Sequence, residues 1–474
     1  MKDNRTSVKR SLFVSAIALT LTAALLIGST FAWFTSTAST GVSKVEAGKL
    51  KVTLLNGNKE LSSTDVLTWQ KAEGQTGTAL WEPGCTYNLD PITIKNTGSL
   101  ALKYKIVITG IKGDADLNKV IDWTVNDTTL DADHPLAVGE SKELTISGHM
   151  QENADDNYQG KTIDGISITV VATQDTVEYD SNGNQYDKDA EYPILVTTGD
   201  ELQAIVNKAT APVNIVLANN ITTNNFVIPA DKDVTLDLNG RTVTNDESHT
   251  ILNKGHLTLT DSSADKSGQI ISCKADTAAL RNGDNAVCVV ESGTISRDGA
   301  NGNTWHTVEN FGTMTFNGGK VIADDGKSFA IVNGWNYINP GEQKATMTIN
   351  NIEMIAGPNG FKNCAGGTLT MNDGTLHCTG YWGLSNDSTG VATINGGKII
   401  SDKYIAISDG GAKMEINGGT FTGPQGSLYV QDYAQDTVVK GGSYQNETVE
   451  FMQRCCPKGY TAKLQGGMVV VSKD

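Results

Sequence analysis

Cleavage of a glycosidic bond takes two or three carboxyl groups held close to one another. After residue 200 of this 474-residue sequence, Asp231, Asp233, Asp237, Asp246 and Glu247 form the densest acidic group. They fall in one short stretch, and no acidic residue recurs at a fixed position in the segments that follow. That pattern reads as a solubilising surface rather than a catalytic pair. Arginine, the other side chain that could act as base or anion clamp, is confined in this region to Arg241, Arg281, Arg297 and Arg454. Metal chemistry has no clearer signature. No His-Glu-x-x-His occurs, His134 and His149 stand alone, and both read as surface or turn histidines. The acidic stretch from Asp114 to Asp133 lacks EF-hand spacing and reads as a solvated loop. No cofactor is expected; calcium is the one ion the composition would allow, without a motif for it.

Aromatic residues are more suggestive. Trp305-His306 ends an insertion that starts at Arg297, and Trp335 and Tyr337 sit in a second insertion from Gly334 to Lys344. Tyr381-Trp382, Tyr404, Tyr429 and Tyr433 follow. Exposed rings stack on the apolar faces of sugars, which makes Trp305, Trp335, Tyr337, Tyr381 and Tyr404 the candidate glycan contacts. Internal alignment puts Trp382 at the position of Ile405, pointing inward, and Tyr381 and Tyr404 on a shared outer track. Packing is the competing role for each of them.

The elements carrying these residues form a repeat. Asn-Gly-Gly followed by an aliphatic strand recurs at Asn317, Asn395 and Asn417, with variants such as Asn239-Gly240, Ser292-Gly293 and Asn372-Asp373-Gly374. The markers end at residues 240, 268, 293, 319, 352, 374, 397, 419 and 442, so they step by 22 to 33 residues. A second marker, aliphatic-x-Asn/Asp, keeps the same register at Asn253, Asn282, Asn310, Asn333, Asn363, Asn386 and Asp409. Each unit holds three short strands, too little apolar surface to fold alone, so the units must stack and bury Ile, Leu, Val, Met and Phe in one column. Gly and Asn are placed at the corners as residues that tolerate positive φ, and stacked Asn side chains can hydrogen-bond along the column. Three strands per turn of about 22 residues, rising about 4.8 Å each, describe a parallel β-helix. A helix opened by Gly199-Asp200 would cap its first coil, and residues 459–471 would close the last. Cys288 and Cys378 fall at strand positions and read as buried thiols; the adjacent Cys455 and Cys456 cannot bridge each other without strain.

Ahead of the repeat, residues 49–55, 90–96, 102–109, 143–147 and 163–172 alternate apolar and polar, the period of an antiparallel sandwich. Residues 174–191 are acidic and nearly free of aliphatics, which marks a linker. At the start, Lys2, Arg5, Lys9 and Arg10 precede an uncharged run whose apolar part, Leu12 to Gly28, closes with Thr30-Phe31-Ala32. That is the build of an export signal cleaved between Ala32 and Trp33; retained, the same run could anchor the chain in a bilayer. Fifty glycines and 19% charged residues exclude a coiled coil and a polytopic membrane protein. A formal net charge of −16 argues against a nucleic-acid partner.

Gly28-Ser29-Thr30-Phe31-Ala32-Trp33-Phe34-Thr35 followed by Val45-Glu46-Ala47-Gly48-Lys49-Leu50 resembles the start of the camelysin/TasA family. Trp81-Glu82-Pro83-Gly84 and Ile94-Lys95-Asn96-Thr97-Gly98-Ser99-Leu100 are similar to that family's "PGD … NxGsl" segment, with Cys85 where an acidic residue is usual. The resemblance, over residues 1 to about 175, implies a jelly-roll-like domain and processing by a SipW-type signal peptidase. It also implies self-assembly in which the new N-terminal strand, led by Trp33 and Phe34, is lent to a neighbour. Residues 192–474, with Thr235-Leu236-Asp237-Leu238-Asn239-Gly240, resemble the pectate-lyase-like right-handed parallel β-helix proteins. That fold hosts lyases, hydrolases, adhesins and inert stalks.

The expected protein is therefore all-β: an antiparallel β-sandwich at residues 33–173, then a right-handed parallel β-helix at 192–474. Its expected role is that of an exported surface or matrix protein that contacts glycans or surface proteins without catalysis. The alternative is a polysaccharide lyase or glycoside hydrolase with its site near Trp305, Trp335 and the first-coil acids.

Overall fold

The computed structural model describes residues 50–61, 65, 67–71, 77–109, 112–130, 132–164, 166–175, 191–299, 305–323, 328–334 and 344–474. The N-terminal part is antiparallel, as the period-2 alternation requires. Ile92–Asn96 lies between Val52–Asn56 and Ser141–Leu144, and Leu102–Thr109 pairs along its length with Ser167–Gln174. Their inward residues, Ile92, Ile94, Leu102, Tyr104, Ile106 and Leu144, are essentially fully buried. One expected strand proves to be two. Ser141–Leu144 and Ile146–Met150 belong to different sheets, because the chain breaks at Thr145. Asn126 holds that break: its backbone N–H donates to the Thr145 carbonyl at 2.9 Å, and its Oδ1 accepts from the Thr145 N–H at 2.8 Å. The acidic segment expected as a solvated loop contains a 3-10 turn, Ala115–Val120, and the strand Ile121–Val125. Leu117, Val120, Ile121 and Val125 bury that segment despite its charge.

From residue 194 the chain is a parallel β-solenoid with three faces. Among the described residues the first face has eleven strands, from Ile194–Val196 to Thr437–Val439. The second runs from Ile221–Thr223 to Gly442–Gln445, and the third has nine strands, from Phe226–Ile228 to Leu428–Val430. Parallel register aligns Leu257, Cys288, Met314, Met347, Leu369, Ala392 and Met414 into one inward column. All are buried, so Cys288 packs as a small apolar residue, and Cys378 does the same on the second face.

The corners separate two roles that the sequence reading had merged. Positive φ falls mostly to the glycines, for instance φ 105° at Gly374, where a Cβ would also meet the Ile352 nitrogen at 2.7 Å, and to a few corner asparagines such as Asn239 at φ 46°. Among the stacked asparagines of the second marker, none adopts positive φ. Their task is hydrogen bonding. Asn253, Asn282, Asn310, Asn333, Asn363 and Asn386 each donate Nδ2 to the Oδ1 of the next, at 2.7 to 2.9 Å, and the series ends on Asp409. All seven are fully buried. A second, exposed ladder runs in the opposite sense. Asn417, Asn395, Asn372, Asn350 and Asn317 each donate toward the N-terminus, and Glu291 accepts the last bond at 2.8 Å. A carboxylate accepts and cannot donate, so Asp409 and Glu291 set the direction of each series.

Both ends are covered. The helix Gly199–Lys208 is capped by Thr198, one residue earlier than expected, whose Oγ1 accepts from the Glu201 N–H at 3.1 Å. Its Gln203 side chain bonds both the N–H and the carbonyl of Val227 at 2.8 Å, standing in for a missing strand on the third face. At the far end the hairpin Tyr460–Gln465 and Met468–Lys473 pairs antiparallel with Gly442–Gln445. The helix Val449–Cys455, which the sequence reading did not anticipate, repeats the device: Gln453 bonds the Ala462 N–H at 2.9 Å and the Tyr460 carbonyl at 3.1 Å. Cys455 and Cys456 are both free thiols at this helix end.

Candidate functional site

In three successive coils the loop from the second face to the third is short and is bonded to the coil before it. At Gly380 an added Cβ would meet Pro358 Cα at 2.4 Å, and the Tyr381 N–H donates to the Pro358 carbonyl at 2.7 Å. One coil later Ser401 Oγ accepts from the Tyr404 N–H at 3.0 Å and donates back to the Gly380 carbonyl at 3.2 Å. Gln425, one coil further, donates its backbone N–H to the Tyr404 carbonyl and its Nε2 to the Lys403 carbonyl, both at 3.1 Å. These bonds fix a groove of about 530 Å³ lined by Gly357, Pro358, Thr379, Gly380, Tyr381, Lys403, Tyr404 and Gln425.

Two rings line this groove, and a third packs against them. Tyr381 and Tyr404 are edge-on at 5.9 Å between centroids, Trp382 and Tyr404 at 6.0 Å, and Tyr381 and Trp382 are tilted at 6.2 Å. Tyr381 is 56% exposed, while Tyr404 and Trp382 are partly covered. Trp382 therefore does not enter the solenoid core as expected; it packs against the two tyrosines, with its Nε1 buried and without a hydrogen-bond partner. The expected outer track of Tyr381 and Tyr404 is present.

Trp305 has a different place. Its Nε1 donates at 2.8 Å to Oε1 of Glu309, which is fully buried on the outer side of the third face. Arg281 donates to the other oxygen, Oε2, at 3.0 Å, and its guanidinium lies 4.9 Å from the Phe311 ring centroid. Trp305 thus pins its insertion to the shaft. Burial pushes the Glu309 carboxyl up, opposed by Arg281. Beside Arg281, His249 accepts the Ala278 N–H on Nδ1 at 2.9 Å, and burial followed by the Arg281 charge lowers it to about 4. His306, its ring tilted against Trp305 at 4.9 Å between centroids, is lowered by burial to about 4 as well. Trp335, Tyr337, Ala32, Trp33 and Phe34 lie outside the described residues.

The first-coil acids do not converge. Asp231 pairs with Lys232 at 3.0 Å, Asp246 and Glu247 are exposed on another corner, and Asp233 is half-buried near His256. Asp237 is not a solubilising group at all: it accepts the Asn239 and Ser262 N–H groups at 2.9 and 2.8 Å. Burial raises its pKa, with Asp261 adding to the rise. Asp261, which the sequence reading passed over, clamps Gly240 and Gly268 in the same way; an acid two residues before a polar turn was the available signal. His134 is no surface histidine either, since it stacks on buried Tyr104 at 5.2 Å. His149 lies on a central strand of its sheet, paired with Thr86 on one side and Asp122 on the other, with its Nδ1 2.8 Å from Thr86 Oγ1. Among the described residues no three His, Cys, Asp or Glu side chains are grouped to hold a metal ion, and no helix is long and apolar enough to cross a membrane. Compared with known protein families, curated proteins and solved structures, the chain matches none.

Proposed function

We propose that the chain is an exported, non-catalytic surface or matrix protein whose solenoid contacts carbohydrate through the Tyr381, Trp382 and Tyr404 groove. The observation that carries this reading is an open groove lined by Tyr381 and Tyr404, with Trp382 packed against both, that also offers Thr379, Lys403 and Gln425. Sugar rings bury C–H faces on aromatic planes and place hydroxyls on polar neighbours. A non-catalytic role is supported by the occupation of the buried carboxylates. Asp237 and Asp261 hold turn amides, Glu309 holds Arg281 and Trp305, and Glu447 accepts from the Ser427 and Leu428 N–H groups. Export rests on the basic, apolar and small-residue order of residues 2–32.

Affinity electrophoresis of residues 33–474 against neutral polysaccharides tests the reading. Retardation by at least one polymer is expected, with Tyr381→Ala weakening it at least tenfold and leaving the melting temperature unchanged. Release of reducing ends or unsaturated products at enzymatic rates, with or without calcium, would instead establish the lyase or hydrolase alternative. N-terminal sequencing of protein from the culture medium is expected to begin at Trp33.

A further inference from the structure

The exposed large aromatics are not scattered. Among the described residues they are Tyr381, Tyr429 and Tyr433, at 56%, 50% and 60% exposure, all within three neighbouring coils. Tyr381 belongs to the groove at the corner. Tyr429 and Tyr433 belong to the third face and the turn after it, beyond that corner. The Gln425-to-Tyr404 hydrogen bond places Gln425 one coil above Tyr404, and Tyr429 lies four residues further along. At about 3.3 Å per residue and about 4.8 Å per coil, the second pair of rings stands on the order of 10 to 15 Å from the groove.

The second pair sits on a prepared surface. Tyr433 lies against Gly410, where a Cβ would meet its Cε2 at 2.5 Å, so the missing side chain there lets the ring lie flat. Gln431, between the two tyrosines, donates Nε2 to the buried Ser408 Oγ at 3.0 Å and so covers the strand beneath. Lys362 pairs with Asp387 at 3.3 Å, and the exposed carboxylates Asp432 and Asp436 flank Tyr433, a setting that repels acidic sugars. Recognition on this side rests on rings and hydrogen bonds rather than on net charge.

We infer that Tyr429 and Tyr433 form a second sugar-stacking station, continuous with the corner groove, so that the ligand is a neutral polysaccharide bound along its chain. This extends the carbohydrate reading above and depends on it. A single sugar fills one station; only a chain of several units reaches both.

Isothermal titration with oligosaccharides of two to eight units, cut from the neutral polymer that retards the protein most, tests it. Affinity is expected to rise at least tenfold from the disaccharide to the hexasaccharide and then level off. Tyr433→Ala and Tyr429→Ala are expected to abolish that rise and leave disaccharide affinity unchanged, whereas Tyr381→Ala weakens every length. Equal affinity at all lengths, or Tyr433→Ala and Tyr429→Ala variants that keep the full rise, would overturn the second station and leave the groove reading standing. Failure of every neutral polymer to bind the unaltered protein removes both readings.

Discussion

Glu309 and its neighbours show how one residue's surroundings decide its chemistry. A carboxyl in a solenoid groove invites a catalytic reading, but this one is closed off by an indole N–H and a guanidinium, which makes it a brace. The same neighbourhood sets an acid limit. His249 and His306 are held neutral, each lowered to about 4 from an ordinary 6.5. The unfolded chain takes up those protons first as pH falls, so their contribution to stability is complete above about pH 6.5 and is lost toward pH 4, on the order of 3 kcal/mol for His306 and less for the part-exposed His249, where solvent screens the charge. Thermal melts between pH 7 and 4 are expected to show a falling transition that flattens in His249→Asn. An unchanged slope in that variant would assign the acid sensitivity elsewhere. None of this was legible in the sequence, where His249 is one polar residue in a turn; its burial arises from Arg281 and Ala278, about 30 residues later, folding over it.

At the scale of the element, the buried asparagine ladder was legible and its direction was not. The recurrence of aliphatic-x-Asn/Asp announces a stack, because only stacking brings residues 23 to 30 apart into one column. Which way each amide points depends on the carboxylate at one end, and on backbone N–H groups such as Gly255 and Gly312 that occupy Oδ1. A direct contrast follows. Asn333→Asp still accepts from Asn310 but turns an oxygen toward Asn363 Oδ1, leaving two buried acceptors face to face; a loss of roughly 2 to 4 kcal/mol is expected. Asp409→Asn sits at the end, keeps its acceptor for Asn386, and meets Thr437, whose hydroxyl can turn to accept. It is expected to lose less than about 1 kcal/mol. Urea denaturation of the two variants measures the difference, and equal losses would contradict the assigned polarity.

Across the whole molecule, the three faces, the coil register and the inward column followed from two sequence markers. The ends were read less well. The helix Val449–Cys455 is short and carries a glutamate, an arginine and a cysteine, so its sequence lacks a helical stripe; Gln453 and buried Met452 give it its role. Removing residues 446–474 strips Glu447 from the Ser427 and Leu428 amides, together with the hairpin that closes the second face. The bare strands that remain are templates for pairing with another chain. Light scattering on the truncated protein is expected to show concentration-dependent association, and a stable monomer would argue that the last coil closes itself.

The two opposed ladders also bear on how such a molecule changes length over generations. Every coil between the terminal acids receives one amide bond and passes on another, so an interior coil that is copied or lost in a recombination event finds matching partners on both sides. The sequence insertions at residues 297–305 and 334–344 interrupt neither ladder, since the buried series passes both without a gap. Shaft length is thereby free to vary by whole coils, while Glu291 and Asp409, the fixed punctuation of the series, are the two positions at which such slippage must not fall.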